Sequence, residues 1–128
     1  MVFDTNVLVS ALVMPGSRGD EALLRIVGGR DELLLSRAIL DELLEVLARK
    51  FARDAEELSR VALFLDALGE MVVPGERVTV LTDEPDNRIL ECALSGHAEV
   101  VVTGDKKMLA LNTWRNVRVI SLADYLAS

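Results

Sequence analysis

The chain has 128 residues, 51% hydrophobic and 27% charged, a composition that suits one globular domain over residues 1–128 and excludes a disordered chain. Its longest charge-free stretch, 13 residues between Asp4 and Arg18, contains Pro15-Gly16 and is too short for a membrane span of about 20 residues; with one cysteine and no basic leader, the expected compartment is the cytoplasm. Against 14 basic residues stand 21 acidic ones, a net charge of −7, which excludes gripping nucleic acid through a broad basic face but not a nuclease whose carboxylates hold cations.

In chain order, Val2 to Asp4 reads as a short buried strand. A helix follows through Val7, Leu8, Ala11 and Leu12, ended by Pro15-Gly16, and a second carries Ala22, Leu23, Ile26 and Val27 up to Gly28-Gly29. Leu33 to Leu35 is a short apolar run, after which Ser36 can cap a long helix from Arg37 to about Phe51. Near Asp54 begins an amphipathic helix with Leu58, Val61, Ala62, Leu65 and Leu68 at helical spacing and Gly69 at its end. Met71 to Val73 reads as a strand, Pro85 to Leu94 as a helix stopped by Gly96, and Val100 to Val102 as a wholly apolar strand. Lys106 to Leu111 gives a helical turn or two, Val117 to Ile120 a last strand, and Leu122 to Leu126 a final helix. Strands apolar on both faces and alternating with helices predict an α/β three-layer sandwich, a mostly parallel central sheet flanked by helices.

In such folds ligands bind beyond the carboxyl ends of the strands. Asp4 closes the first strand and Asp105 follows the Val100 strand, so both should project from one edge, although an Asp at a strand-to-helix turn also serves as a helix N-cap. Glu42 is the acid of its helix set in the apolar stripe, with Ala38, Ile39 and Val46 as face neighbours, whereas Asp41 and Glu45 lie among charges. The same test selects Asp86, followed on its face by Ile89, Leu90 and Ala93, while Asp83 reads as a cap ahead of Pro85. An oxygen-only cluster without His or Cys suits Mg²⁺ or Mn²⁺ rather than zinc. His97 reads as a solvent-exposed helix-end residue and Cys92 as a small core residue, so no Ser-His or Cys-His nucleophile is expected; Trp114 is either core or partner surface.

The run Asp4-Thr5-Asn6-Val7-Leu8-Val9-Ser10-Ala11-Leu12 resembles the opening motif of PIN-domain nucleases, in particular the VapC-like toxins of prokaryotic toxin–antitoxin operons. The resemblance continues through Ser36 to Leu47, Asp86-Asn87 to Ala93, and Val102-Thr103-Gly104-Asp105, so it spans nearly the whole chain in order. It implies a metal-dependent endoribonuclease, with Asp4, Glu42, Asp86 and Asp105 as catalytic metal-holding acids around Mg²⁺ or Mn²⁺ and Asn6 and Thr103 as supporting polar residues. Such relatives sometimes carry one more acid a few residues after the last Asp, where this chain has Lys106-Lys107-Met108.

The expected function is therefore hydrolysis of single-stranded RNA, with Arg88, Lys106 and Lys107 as possible phosphate contacts. The alternative is a catalytically silent module of the same fold that acts by protein contact; a phosphoacceptor receiver domain fits less well, because the first strand lacks an adjacent acid pair. The long helix carries Leu40, Leu43, Leu44 and Leu47, and the next adds Leu63, Phe64 and Ala67 beside its main stripe. More apolar surface than a sheet needs, together with the resemblance, predicts a homodimer and a cognate antitoxin partner.

Overall fold

The computed structural model describes residues 1–128. Its strands are β1 (Val2–Phe3), β2 (Leu34–Ser36), β3 (Glu70–Val72), β4 (Val100–Thr103), β5 (Thr113–Trp114) and β6 (Val117–Ser121). Its helices are α1 (Thr5–Val13), α2 (Arg18–Val27), α3 (Arg37–Phe51), α4 (Ala55–Leu68), α5 (Glu84–Ser95), α6 (Lys106–Leu109) and α7 (Leu122–Ala127). The expected α/β sandwich is the fold found.

Four strands form a sheet in the order β1-β4-β6-β5, and β2 pairs with β3 in parallel. One backbone bond joins the two sets: the Leu34 N–H donates to the Met1 carbonyl at 2.8 Å, so β2 continues the sheet beyond β1. Every pairing is parallel except β5 with β6. That hairpin was not foreseen. It turns at Arg115-Asn116, where φ is +45° and +67°, the paired left-handed backbone of a tight turn whose twist matches the strands. The usual Asn-Gly signal is missing, and two residues are too few to show alternation. Trp114, undecided from sequence, is half-buried on this hairpin with the Arg115 guanidinium 5.1 Å from its ring centre.

Helix starts follow their caps. Ser36 accepts the Ile39 N–H at 3.3 Å to begin α3, and Asp54 accepts that of Glu57 at 2.9 Å to begin α4. Strands β1, β2 and β4 are buried on both sides, with no exposed residue, and Val101, Leu43, Leu8, Ile89 and Leu65 meet in one apolar cluster. Truncating Leu43 there would cost about 2–5 kcal/mol. The two central helices differ sharply. In α3, Leu40, Leu43 and Leu47 are buried; in α4 Leu65 alone is, and Leu63 and Phe64 are exposed.

Candidate metal centre

Register brings the first two acids together. Val2 pairs with Val101 and Phe3 with Val102, so the residues that follow, Asp4 and Thr103, leave the sheet side by side. The Thr103 hydroxyl donates to Asp4 Oδ2 at 2.7 Å and its oxygen accepts the Asp105 N–H at 3.0 Å. One buried threonine thus orders both strand-end acids. Each acid also caps its helix as expected, Asp4 accepting the Asn6 N–H at 3.4 Å and Asp105 that of Lys107 at 3.2 Å. Capping and clustering coexist, because a carboxylate has two oxygens.

The other acids arrive on helices. Glu42, half-buried, comes from the second turn of α3, and Asp86 from the first turn of α5, whose next face residues Ile89, Leu90 and Ala93 are buried against the sheet. Asp4, Asn6, Glu42, Asp86 and Asp105 line one cleft of about 330 Å³, together with Asp83, Pro85 and Gly104. No basic side chain is among them, and Pro85 is the one apolar side chain.

Asp83 is the member that sequence reading passed over. It does stand at the N-cap position of α5, but its side chain makes no capping bond and lines the cleft instead. A signal was present in the spacing of Asp83 and Asp86, three residues apart and so on one side of the first helical turn. Arg88 departs from expectation in the other direction. Its side chain is only 15% exposed, pairs with Glu91 at 3.0 Å and Glu84 at 3.2 Å, and donates to the Val78 carbonyl at 3.0 Å. A guanidinium so engaged is not available to a phosphate. Lys106 and Lys107, by contrast, are exposed beside Asp105 and form no ion pair. His97 is exposed and Cys92 buried, as expected, with burial pushing the thiol up to about 12.

Crowded acids resist ionisation. Burial raises the Asp4 carboxyl above its ordinary range against the opposing Thr103 bond, and raises Glu42, with the Asp4 and Asp83 charges adding to it. Asp86 goes furthest, to about 8, through burial first, then the Asp105 carboxyl beside it, then repulsion from Asp4 and Asp83. Its Oδ2 is buried without any hydrogen-bond partner. A buried, unpartnered carboxylate oxygen among like charges is a position that a hard divalent cation satisfies, and the all-oxygen donor set fits Mg²⁺ or Mn²⁺. No three carboxylates already stand as a finished coordination sphere, so a cation would have to draw them inward.

A scan against protein families matches residues 1–107 to the PIN domain, which takes in all five acids of the cleft. The chain belongs to the PIN-domain family. Members are generally nucleases that use divalent metal ions. A search among curated proteins found no match.

Proposed function

We propose that this PIN domain is a metal-dependent endoribonuclease that hydrolyses phosphodiester bonds of single-stranded RNA and serves as the toxin of a toxin–antitoxin pair. The observation that carries the reading is a cleft of five carboxylates with no cation of its own, at the carboxyl ends of β1 and β4. Asp4 and Asp105 would hold Mg²⁺ or Mn²⁺ directly, with Glu42 and Asp86 as further ligands or as acceptors that orient the attacking water. The chemistry supplied by such an ion is neutralisation of charge on the phosphate and acidification of water. Thr103 keeps the Asp4 carboxylate facing the cleft, and Asn6, exposed at its rim, is placed to hydrogen-bond substrate. Lys106 and Lys107 supply the positive charge that an acidic protein otherwise lacks for RNA phosphates.

The partner reading rests on α4. Leu63 is 71% and Phe64 42% exposed, and Met71 and Val73 extend the apolar surface past β3. That surface suits a second copy or an antitoxin. Light scattering tests the dimer: the expected mass is twice the 14.0 kDa of one chain, falling to one chain's mass in Phe64→Glu.

Turnover of single-stranded RNA decides the catalytic claim. Cleavage in millimolar Mn²⁺ that stops on adding EDTA is expected; intact RNA under both conditions would leave a binding module in place of an enzyme.

A further inference from the structure

The connection between β3 and α5 has no secondary structure, and from Pro74 to Thr82 it makes no backbone–backbone hydrogen bond. Backbone groups of three of its residues, Gly75, Val78 and Leu81, are met by side chains of α5. Ser95 Oγ accepts the Gly75 N–H at 3.0 Å, and Glu91 Oε2 accepts the Val78 N–H at 2.8 Å. Arg88 donates to the Val78 carbonyl at 3.0 Å, while Asn87 accepts the Leu81 N–H and donates to the Leu81 carbonyl, both at 2.8 Å. Residues 87, 91 and 95 are four apart and share one helix face, so the segment is strapped antiparallel along α5 with buried Val78 as its apolar anchor. The strap ends at Asp83, in the acidic cleft.

These ties are costly to build. Asn87 is fully buried and Glu91 is 4% exposed, and buried polar groups stabilise only when paired. Apolar side chains could hold a loop down without that cost, but they do not fix its rotation. A carboxamide bonded at both ends of one residue's backbone does. Orientation matters here because like charges push Asp83 away from Asp86 and Asp4, which would lift an untied strap off the helix. Asn87 directly follows Asp86, so one turn of helix both presents an acid and secures the segment that presents another.

We propose that Asn87, assisted by Glu91 and Arg88, is a positioning residue of the acidic cleft: it ties residues 74–82 along α5 so that Asp83 and Asp86 stay turned toward Asp4 and Asp105. The proposal rests on the metal-binding reading above. It places the influence of the ties on cation affinity, in a graded order that follows distance along the strap from Asp83, with Asn87 first, Glu91 next and Ser95 last.

Amide hydrogen exchange and Mn²⁺ calorimetry on the full chain test it together. In the wild type the Val78 and Leu81 amides should exchange more slowly than those of Arg77 and Val80. In Asn87→Ala the Leu81 amide should speed up and the Mn²⁺ Kd weaken about tenfold, the usual scale for a residue that orients ligands. Ser95→Ala should free Gly75 and leave Mn²⁺ affinity unchanged, which a general loss of stability would not discriminate. A folded Asn87→Ala with a mobile Leu81 amide and wild-type Mn²⁺ affinity overturns the proposal. Should that variant fail to fold, Glu91→Gln, which keeps an acceptor for Val78 but removes the charge facing Arg88, is read in its place: weakened Mn²⁺ binding supports the ties and unchanged binding refutes them. A wild type that takes up no Mn²⁺ would instead defeat the metal reading itself, and the ties' proposed role with it.

Discussion

Both ends of the central sheet open into a space walled by acids, and they differ in how charge is balanced. The larger, about 510 Å³, lies at the amino ends of the strands, with Asp31, Glu32, Glu70 and Glu99 in its walls. Cationic groups share that lining, the Met1 ammonium, which donates to the Glu32 backbone carbonyl at 2.8 Å, and Arg30, and Tyr125 donates its hydroxyl to Asp31 at 2.7 Å. The smaller, about 330 Å³, lies at the carboxyl ends, and no basic side chain lines it beside its five acids. Volume is a poor guide to function here. Acids without a cation beside them make the carboxyl end the candidate for metal chemistry.

The sharpest way to break that comparison is to neutralise one acid at each end. Asp4→Asn or Asp105→Asn should lower Mn²⁺-dependent RNA cleavage by more than about a hundredfold, exceeding the effect typical of residues that only orient ligands. Asp31→Asn should leave cleavage unchanged. Equal rates in all three variants would erase the distinction between the ends.

A smaller effect is expected at Thr103→Val, which keeps the shape of a fully buried side chain but removes the donor to Asp4 and the acceptor for the Asp105 N–H. Mn²⁺ affinity should fall about tenfold, and leaving the Asp105 amide unsatisfied should cost about 1–3 kcal/mol in chemical denaturation.

The acidic end should also set the pH dependence of the metal-free protein. Folding raises Asp4, Glu42 and Asp86, the last to about 8 from an ordinary 3.8, so the native state holds protons that the unfolded chain has released. Stability from that difference is fully present below the unfolded value and is lost as pH rises through the folded one. In EDTA the melting temperature should therefore decline from about pH 4 to about pH 8, and Mn²⁺ should offset the decline most at the upper end, where its ligands are ionised. A melting temperature that climbs across this range in EDTA would mean that the acids are stabilised by something other than a cation.

The smallest change belongs to the balanced end. Tyr125→Phe removes the bond to Asp31 but leaves the ring against Phe3, 5.8 Å between centres, and under the Arg25 guanidinium. A loss of about 1 kcal/mol with no change in RNA cleavage is expected.

Sequence legibility follows the same division. Asp4, Glu42, Asp86 and Asp105 could be placed in one cleft because strand ends and the apolar stripes of α3 and α5 are periodic signals, and α3 itself was bounded by its Ser36 cap and the end of its stripe. Asp83 and Arg88 escaped for a shared reason. Local patterns assign each to its own helix, one as a cap and the other as a possible phosphate contact, whereas their positions are decided by a loop that folds back on α5 through side-chain bonds invisible to periodicity. The β5–β6 hairpin was missed because two residues cannot display alternation and Arg115-Asn116 lacks the glycine that announces such turns.

The central claim, that the acidic cleft is built to take a divalent cation, is tested most directly by melting the wild-type protein in EDTA and in millimolar Mn²⁺. An ion bound only to the folded state stabilises it by about 2.7 kcal/mol at a hundred times its Kd, and Mn²⁺ should raise the melting temperature at least as far as Mg²⁺ does. Superimposable melting curves with EDTA and with Mn²⁺ would contradict the claim.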